Sequence, residues 1–204
     1  MAPQAQPCPP GSAAPGSSGQ RCGRPPRGAG AGAHRAWAGR VARRPHALHA
    51  ESPLELWRIT REAHVALDGE GARLYGARWT SRGTPAVYAA SHLSLAALEY
   101  LVHIDAEDAP DDLVALRIGV PDDVSELACA PASLPTDWQQ TPSPPRCRAI
   151  GDDWARREEE LLLRVPSVLV PEESNVLVNP MHPDAVGVRL IGSRHFSYDV
   201  RLLT

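Results

Sequence analysis

Three polar side chains lie inside apolar segments, where they are candidates for chemistry. Arg58 follows Trp57 in a strand-like segment, Ser167 interrupts the stretch VPSVLV, and Glu99 lies at the edge of an apolar helical stripe. An arginine in a strand buried on both faces needs an acidic partner or an anionic ligand, whereas in a strand with one wet face it meets water. A helical glutamate is usually at the surface, and a strand serine usually bonds the backbone. The residues alone leave a structural and a functional interpretation open.

The familiar motifs of metal and nucleotide sites are missing from the sequence. It has no P-loop, GxGxxG, GxSxG or HExxH pattern, and its eight histidines are dispersed. We therefore expect no metal site. The four cysteines have no zinc-ligand spacing and are interpreted as reduced thiols of a cytoplasmic protein: Cys8, Cys22, Cys129 and Cys147.

Charge is unevenly distributed along the 204 residues. Residues 1–50 hold seven arginines and no acid, so the remainder holds 14 basic residues against all 24 acidic ones, a net charge of −10. Because phosphate contacts dominate nucleic-acid affinity, we expect no direct nucleic-acid binding by this part, which would suit a basic protein partner. No apolar run is long enough to cross a bilayer, so we expect no membrane association.

Two regions differ in composition. Residues 1–49 are rich in Pro, Gly and Arg and predict a disordered extension. This extension has three interpretations: a flexible basic arm, a transit segment, or upstream sequence included by a misplaced start codon. Residues 50–204 have enough apolar content for one folded domain.

Short strands and helices intermix in the predicted domain, which indicates an α+β fold. The clearest helix spans 91–104 with Ser91 as its N-cap, and a second is predicted over 151–165. Residues 68–76 are predicted as loop and 128–148 as an irregular excursion. Strands are predicted over 54–60, 76–80, 86–90, 111–120, 165–170, 174–179 and 195–203.

Several sequence blocks, in order, resemble the RES domain family, which is named for an Arg, a Glu and a Ser. The most specific are GARLYGARW, TPAVYAASHLSLAALE and PSVLVPEESNVLVNPMHPD. The full matching stretches are residues 56–61, 69–104 and 111–122 and a carboxyl block that begins at IGDDWAR, and together they span nearly all of residues 54–203. The family's Arg, Glu and Ser fall on Arg58, Glu99 and Ser167, its GxRW arginine on Arg78, and the Tyr before the helix on Tyr88. Thr80 stands where the family usually has Asn.

The resemblance implies an ADP-ribosyltransferase-like fold, with a mixed β-sheet core and a few helices, and a toxin that degrades NAD as its substrate without a cofactor. Glu99 would stabilise the positive charge that develops on the ribose, Arg58 and Arg78 would hold the pyrophosphate, Tyr88 would stack on nicotinamide and Ser167 would hydrogen-bond the ligand. It also implies an Xre-like antitoxin partner. The product can arise by hydrolysis or phosphorolysis. Two alternatives remain: an ADP-ribosyltransferase that modifies a macromolecule, and a non-catalytic binding protein with the same fold.

Overall fold

The computed structural model describes residues 40–43, 54–105 and 109–203. They form a single sheet of eight strands in the order β1-β5-β6-β7-β3-β2-β4-β8, in which only β5 and β6 are parallel. The α+β prediction with a mixed sheet is confirmed. The strands are β1 (Arg40–Arg43), β2 (Leu54–Arg61), β3 (Val87–Ala90), β4 (Leu113–Val120), β5 (Ser125–Ala128), β6 (Leu162–Pro166), β7 (Ser174–Val178) and β8 (Arg189–His195), and the α-helices are α1 (Glu70–Tyr75), α2 (Leu93–Leu101) and α3 (Pro145–Arg157).

Both longer helices pack on the same face of the sheet. Alternating residues of β7 belong to different core clusters: Leu177 packs with Trp154 of α3, whereas Val176 packs on the opposite face. Leu95 of α2 packs on Ala90, whose register partner Asn175 lies on the same face of β7 as Leu177. A space is therefore left on this face between the two helices.

Helix α3 also fixes the segment that follows α1. A Cβ atom at Gly151 would lie 1.9 Å from the carbonyl oxygen of Trp79, so only glycine permits this approach. The side chain of Asp152 accepts hydrogen bonds from the backbone N–H of Ser81 and from the hydroxyl of Thr84, both at 2.8 Å. The predicted strand over 76–80 is wrong, because this segment is an irregular turn held by α3.

Several predicted helix boundaries are corrected. Ser91 is not the N-cap of α2, because its hydroxyl donates to the carbonyl of Ser174 and His92 occupies the cap position. Helix α3 begins at Pro145, since proline suits the first helical turn, and ends where Glu158 adopts a left-handed conformation. Residues 70–75 form α1 instead of a loop.

The end of the domain also differs from the prediction. Strand β8 covers Arg189–His195 instead of 195–203, and Val200–Leu202 forms a 3-10 turn. Strand β8 is held by backbone pairing with β4 rather than by burial of alternate side chains, so its sequence carries no strand pattern.

The predicted N-terminal extension lies mostly outside the described residues. The described part, Arg40–Arg43, is not disordered: it pairs with Ser125–Ala128 of β5. Backbone pairing to a sheet edge does not depend on side-chain type, so a composition rich in Arg and Ala does not reveal it. No helix in the described part of the chain is long and apolar enough to cross a membrane.

Candidate active site

A cleft lies on the helix-covered face of the sheet, beside α2 and the segment that precedes α3. It consists of two cavities of ≈ 330 Å³ and ≈ 570 Å³, here called the Arg58 cavity and the Arg78 cavity after an arginine that lines each. The two cavities have five lining residues in common: Ala77, Tyr88, Glu99, His103 and Asn175. Glu99 is therefore at the junction of the two cavities.

The carboxylate of Glu99 is held through one of its two oxygens. Its Oε1 accepts hydrogen bonds from the hydroxyl of Ser167 at 2.7 Å and from the side-chain amide of Asn175 at 2.5 Å. Within the described residues, no group donates a hydrogen bond to Oε2. One oxygen is thus fixed by the protein and the other can accept a hydrogen bond from a ligand.

Ser167 was expected to hydrogen-bond the ligand, but it does not line either cavity. It follows β6, is fully buried, and accepts at its hydroxyl oxygen the backbone N–H groups of Leu169 (3.0 Å) and Val170 (3.1 Å). Its one hydroxyl proton is donated to Glu99. Because a hydroxyl has one donor and two lone pairs, Ser167 is saturated and reaches a ligand only through Glu99.

Asn175 is a site residue that the sequence did not reveal. It lies on β7, opposite Ala90 of β3 and Val165 of β6, and this register turns its side chain toward α2. The partner, Glu99, is 76 residues away in the chain, so no local pattern links the two. Asn175 lies inside the strand predicted over 174–179, where a polar side chain usually belongs to the solvent-facing side, which hides its role.

Arg58 lines its cavity where β2 and β3 begin to separate. The two strands share a single register pair, Trp57 with Ala90, whereas β2 pairs with β4 along its full length. The Arg58 guanidinium donates to the carbonyl of Ala66 at 3.5 Å. Burial lowers the pKa of Arg58 from its ordinary value, and the negative charge of Asp68 opposes that shift. Burial therefore disfavours the charged form, which an anionic ligand would stabilise.

Arg78 lines the second cavity and is anchored by the segment before α3. One terminal nitrogen donates to the carbonyls of Trp138 (2.9 Å) and Gln140 (2.8 Å), and the other donates to the hydroxyl of Thr141 (3.2 Å). These acceptors are all neutral. Of the five N–H groups of a guanidinium, two make no hydrogen bond to a described residue.

Tyr88 is positioned by its hydroxyl. The hydroxyl oxygen accepts a hydrogen bond from the backbone N–H of Trp79 (3.2 Å) and shares another with the hydroxyl of Thr80 (3.1 Å). Burial raises the pKa of Tyr88, so the phenol stays neutral. Thr80, fully buried, thus orients Tyr88, whose ring lines both cavities.

All five predicted site residues therefore meet at one place. Arg58, Arg78, Tyr88 and Glu99 line the cleft, and Ser167 contacts Glu99 from behind it. His103 also lines both cavities, although its sequence position indicated nothing. The described residues contain no group of three or more His, Cys, Asp and Glu side chains that would hold a metal ion.

A family profile and the curated relatives of this chain agree on one protein family. The sequence profile described as RES domain matches residues 55–201. The chain is 40% identical over 153 residues to the "Prs ADP-ribosylating toxin" of Sphingobium sp. (strain YBL2), which covers 72% of this chain and 95% of that protein. It is 42% identical over 132 residues to "Toxin Res" of Photorhabdus laumondii, which covers 63% of this chain and 83% of that protein.

A solved structure shares the fold. The crystal structure of the M. tuberculosis MbcT–MbcA toxin–antitoxin complex contains a chain that matches with a TM-score of 0.60 at 22% identity and covers 75% of this chain and 88% of that chain. At this identity the likeness concerns the fold alone. The profile match over most of the chain and the toxins about 40% identical to it are sufficient to assign the family. The protein belongs to the RES domain family.

Proposed function

We propose that this protein is the toxin of a toxin–antitoxin pair and degrades NAD by cleaving the bond between nicotinamide and ribose. The proposal rests on how the two carboxylate oxygens of Glu99 are hydrogen-bonded. Its Oε1 is fixed by Ser167 and Asn175, and its Oε2 has no donor among the described residues, at the junction of two cavities. The relatives that are named as toxins support the toxin part of the proposal.

The chemistry needs a negative charge close to the ribose. When the bond between C1′ of the ribose and N1 of nicotinamide breaks, its electron pair stays on nitrogen and nicotinamide leaves as a neutral molecule. The ribose becomes oxocarbenium-like, as in glycoside hydrolysis. In the proposed complex, Glu99 Oε2 accepts a hydrogen bond from a ribose hydroxyl and stabilises this positive charge. Water then adds to C1′ and releases a proton, or phosphate adds through one of its oxygens.

The two arginines suit the pyrophosphate that joins the halves of NAD. Guanidinium groups bind phosphate oxygens through paired, charge-assisted hydrogen bonds. Neither Arg58 nor Arg78 has a carboxylate oxygen within 4.0 Å among the described residues, so neither charge is already neutralised by an ion pair. The ring of Tyr88, fixed by its hydroxyl, offers a stacking surface for nicotinamide.

An antitoxin partner is part of the proposal. Two apolar side chains that line the Arg78 cavity are exposed to solvent: Val102 (55%) and Leu169 (40%). Exposed apolar groups around a cleft are typical of an interaction surface, and a protein that covers them would also close the cleft. The solved relative is a toxin–antitoxin complex, and we propose an Xre-like antitoxin that acts in the cytoplasm.

A second candidate is transfer of ADP-ribose to a macromolecule. It is favoured by the printed name of the Sphingobium relative, an ADP-ribosylating toxin 40% identical to this chain. The two activities share bond cleavage and differ only in the acceptor that attacks C1′. A non-catalytic binding protein would have no need for a fixed carboxylate with one open oxygen.

The acceptor is tested by incubating the purified full chain with adenine-labelled NAD, with and without phosphate and with and without a cell lysate. Free nicotinamide with all label in small molecules supports NAD degradation, and a phosphate-dependent product identifies phosphorolysis. Label that becomes attached to protein supports transferase activity. Absence of nicotinamide release under all conditions contradicts both enzymatic proposals.

A further inference from the structure

The arginines of the domain fall into two groups by their partners. Eight have a carboxylate oxygen within 4.0 Å: Arg61, Arg73, Arg117, Arg146, Arg156, Arg157, Arg164 and Arg201. Within residues 54–105 and 109–203 six do not, and two of these, Arg189 and Arg194, lie on the edge strand β8. The other four lie around the cleft or next to it: Arg58, Arg78, Arg82 and Arg148.

Arg82 and Arg148 line a third cavity of ≈ 330 Å³, here called the basic pocket. Its other lining residues are Tyr75, Gly76, Ala77 and Ser81. Gly76 and Ala77 also line the Arg78 cavity, so the basic pocket adjoins the cleft.

The partners of the two arginines are neutral. Arg148 donates to the carbonyl (2.8 Å) and hydroxyl (2.9 Å) of Ser143, a residue that lines the Arg78 cavity. Arg82 donates through its Nε to the carbonyl of Tyr75 at 3.4 Å. The nearby carboxylate of Asp152 bonds the N–H of Ser81 and the hydroxyl of Thr84, and it forms no ion pair with either arginine.

Two guanidinium charges that face one pocket without a protein counter-charge repel each other, and an anion between them removes that repulsion. In a domain with a net charge of −10, carboxylate partners for arginine are abundant, and eight other arginines have one. Phosphate matches guanidinium geometry best, because its oxygens accept paired hydrogen bonds.

We propose that the basic pocket binds a phosphate group through Arg82 and Arg148, beyond the part of the cleft that holds Glu99. This inference rests on the proposed function for the source of the phosphate, which is either the pyrophosphate of the nucleotide or free phosphate that acts as the acceptor. Both sources share the chemistry that the two arginines recognise.

The test measures binding to the full chain by titration calorimetry, with inorganic phosphate and ADP as separate probes, so that it does not depend on turnover. The variants are Arg82→Gln, Arg148→Gln and the double variant. Their matched controls are Arg73→Gln on α1 and Arg156→Gln on α3, both exposed arginines with carboxylate partners. Loss of charged hydrogen bonds predicts roughly tenfold or greater weakening per arginine, whereas the controls should bind like wild type.

The probe that responds identifies the source. Weaker binding of inorganic phosphate assigns the pocket to free phosphate, and weaker binding of ADP assigns it to the nucleotide. If the double variant binds both probes as tightly as the controls do, the proposal is overturned. If the double variant loses phosphate or ADP binding but the wild-type protein never releases nicotinamide from NAD, the two results have different consequences. The binding result supports the phosphate site, and the absence of nicotinamide release refutes the proposed function.

Discussion

Asn175 provides a sharp test of how Glu99 is held. The Asn175→Ala substitution removes the amide that donates to Glu99 Oε1 at 2.5 Å and leaves the hydroxyl of Ser167 as the remaining donor. A hydrogen bond to a charged group contributes about 1.5–3 kcal/mol. Since 1.36 kcal/mol corresponds to tenfold in rate, full transmission of this loss to the transition state lowers kcat/KM for NAD by roughly 10- to 150-fold.

The effect should appear mainly in kcat. If Asn175 acts through the orientation of Glu99, the interaction lost is one made with the developing positive charge, and ground-state binding of NAD changes little. The assay follows nicotinamide release by chromatography at a series of NAD concentrations. A thermal melt of each variant confirms that it is folded.

The matched control is Ser91→Ala. The hydroxyl of Ser91 donates to the carbonyl of Ser174, the residue before Asn175 in β7, and shares a hydrogen bond with the ring of His92, but it forms none with Glu99. Loss of this neutral hydrogen bond perturbs the same strand and costs about 1 kcal/mol of stability. If Asn175→Ala retains kcat/KM within about twofold of Ser91→Ala while both are folded, the positioning role of Asn175 is refuted.

If Asn175 positions Glu99, replacing it with a charged residue should change how the activity depends on pH. A residue with only a structural role would not produce this change. In Asn175→Asp, two carboxylates meet at the distance of a hydrogen bond, and their repulsion raises the pKa of the pair. At neutral pH the variant should be less active than Asn175→Ala. Its activity relative to wild type should rise as pH falls from about 8 to about 5, because a shared proton restores the hydrogen bond. A flat ratio across this range would contradict the model of a held carboxylate.

Three further predictions concern the frame around the site. Gly151→Ala should destabilise the domain by about 1–3 kcal/mol or more, seen as a lower Tm, because the new methyl meets the Trp79 carbonyl; an unchanged Tm would contradict the packing of α3. Tyr88→Phe should lower stability by about 1–3 kcal/mol in urea unfolding, because it leaves the buried Trp79 N–H without its acceptor, and no change would refute that contact. Burial raises the pKa of Cys129 to about 12, so at about pH 8 the thiol is almost wholly protonated and should resist alkylation until the protein unfolds; rapid modification of the native protein, measured by peptide mass spectrometry, would contradict its burial.

The local sequence pattern predicted the positions of the central strands but not those of the edge strands. β2, β3 and β4 are close to their predicted bounds because their side chains are buried and the sequence records that burial. β8 is exposed along nearly its whole length and exists through backbone pairing with β4, which no residue pattern encodes. The apolar run at 161–163 was assigned to a helix, although Leu162 and Leu163 belong to the buried strand β6. A short apolar run does not distinguish a helix from a buried strand.

The candidate site was also predictable only in part from the sequence. The sequence blocks predicted five site residues, and the structure brings all five together: Arg58, Arg78, Tyr88, Glu99 and Ser167. What each side chain does depends on partners far away in the chain. The hydroxyl of Ser167 was expected to meet the ligand, but contacts 68 residues away with Glu99 and locally with two backbone N–H groups leave it no free position.

The Glu99→Gln substitution tests whether NAD is cleaved at Glu99. The amide oxygen of glutamine can take the place of Oε1 and keep the hydrogen bonds from Ser167 and Asn175, so the substitution removes the negative charge and leaves the frame intact. The measurement is nicotinamide release from NAD by wild type and Glu99→Gln at equal concentration and matched Tm. We expect steady release by wild type and a rate lower by roughly 100-fold or more in the variant. Equal release by the two proteins would refute the role of Glu99, and no release by wild type would refute NAD cleavage.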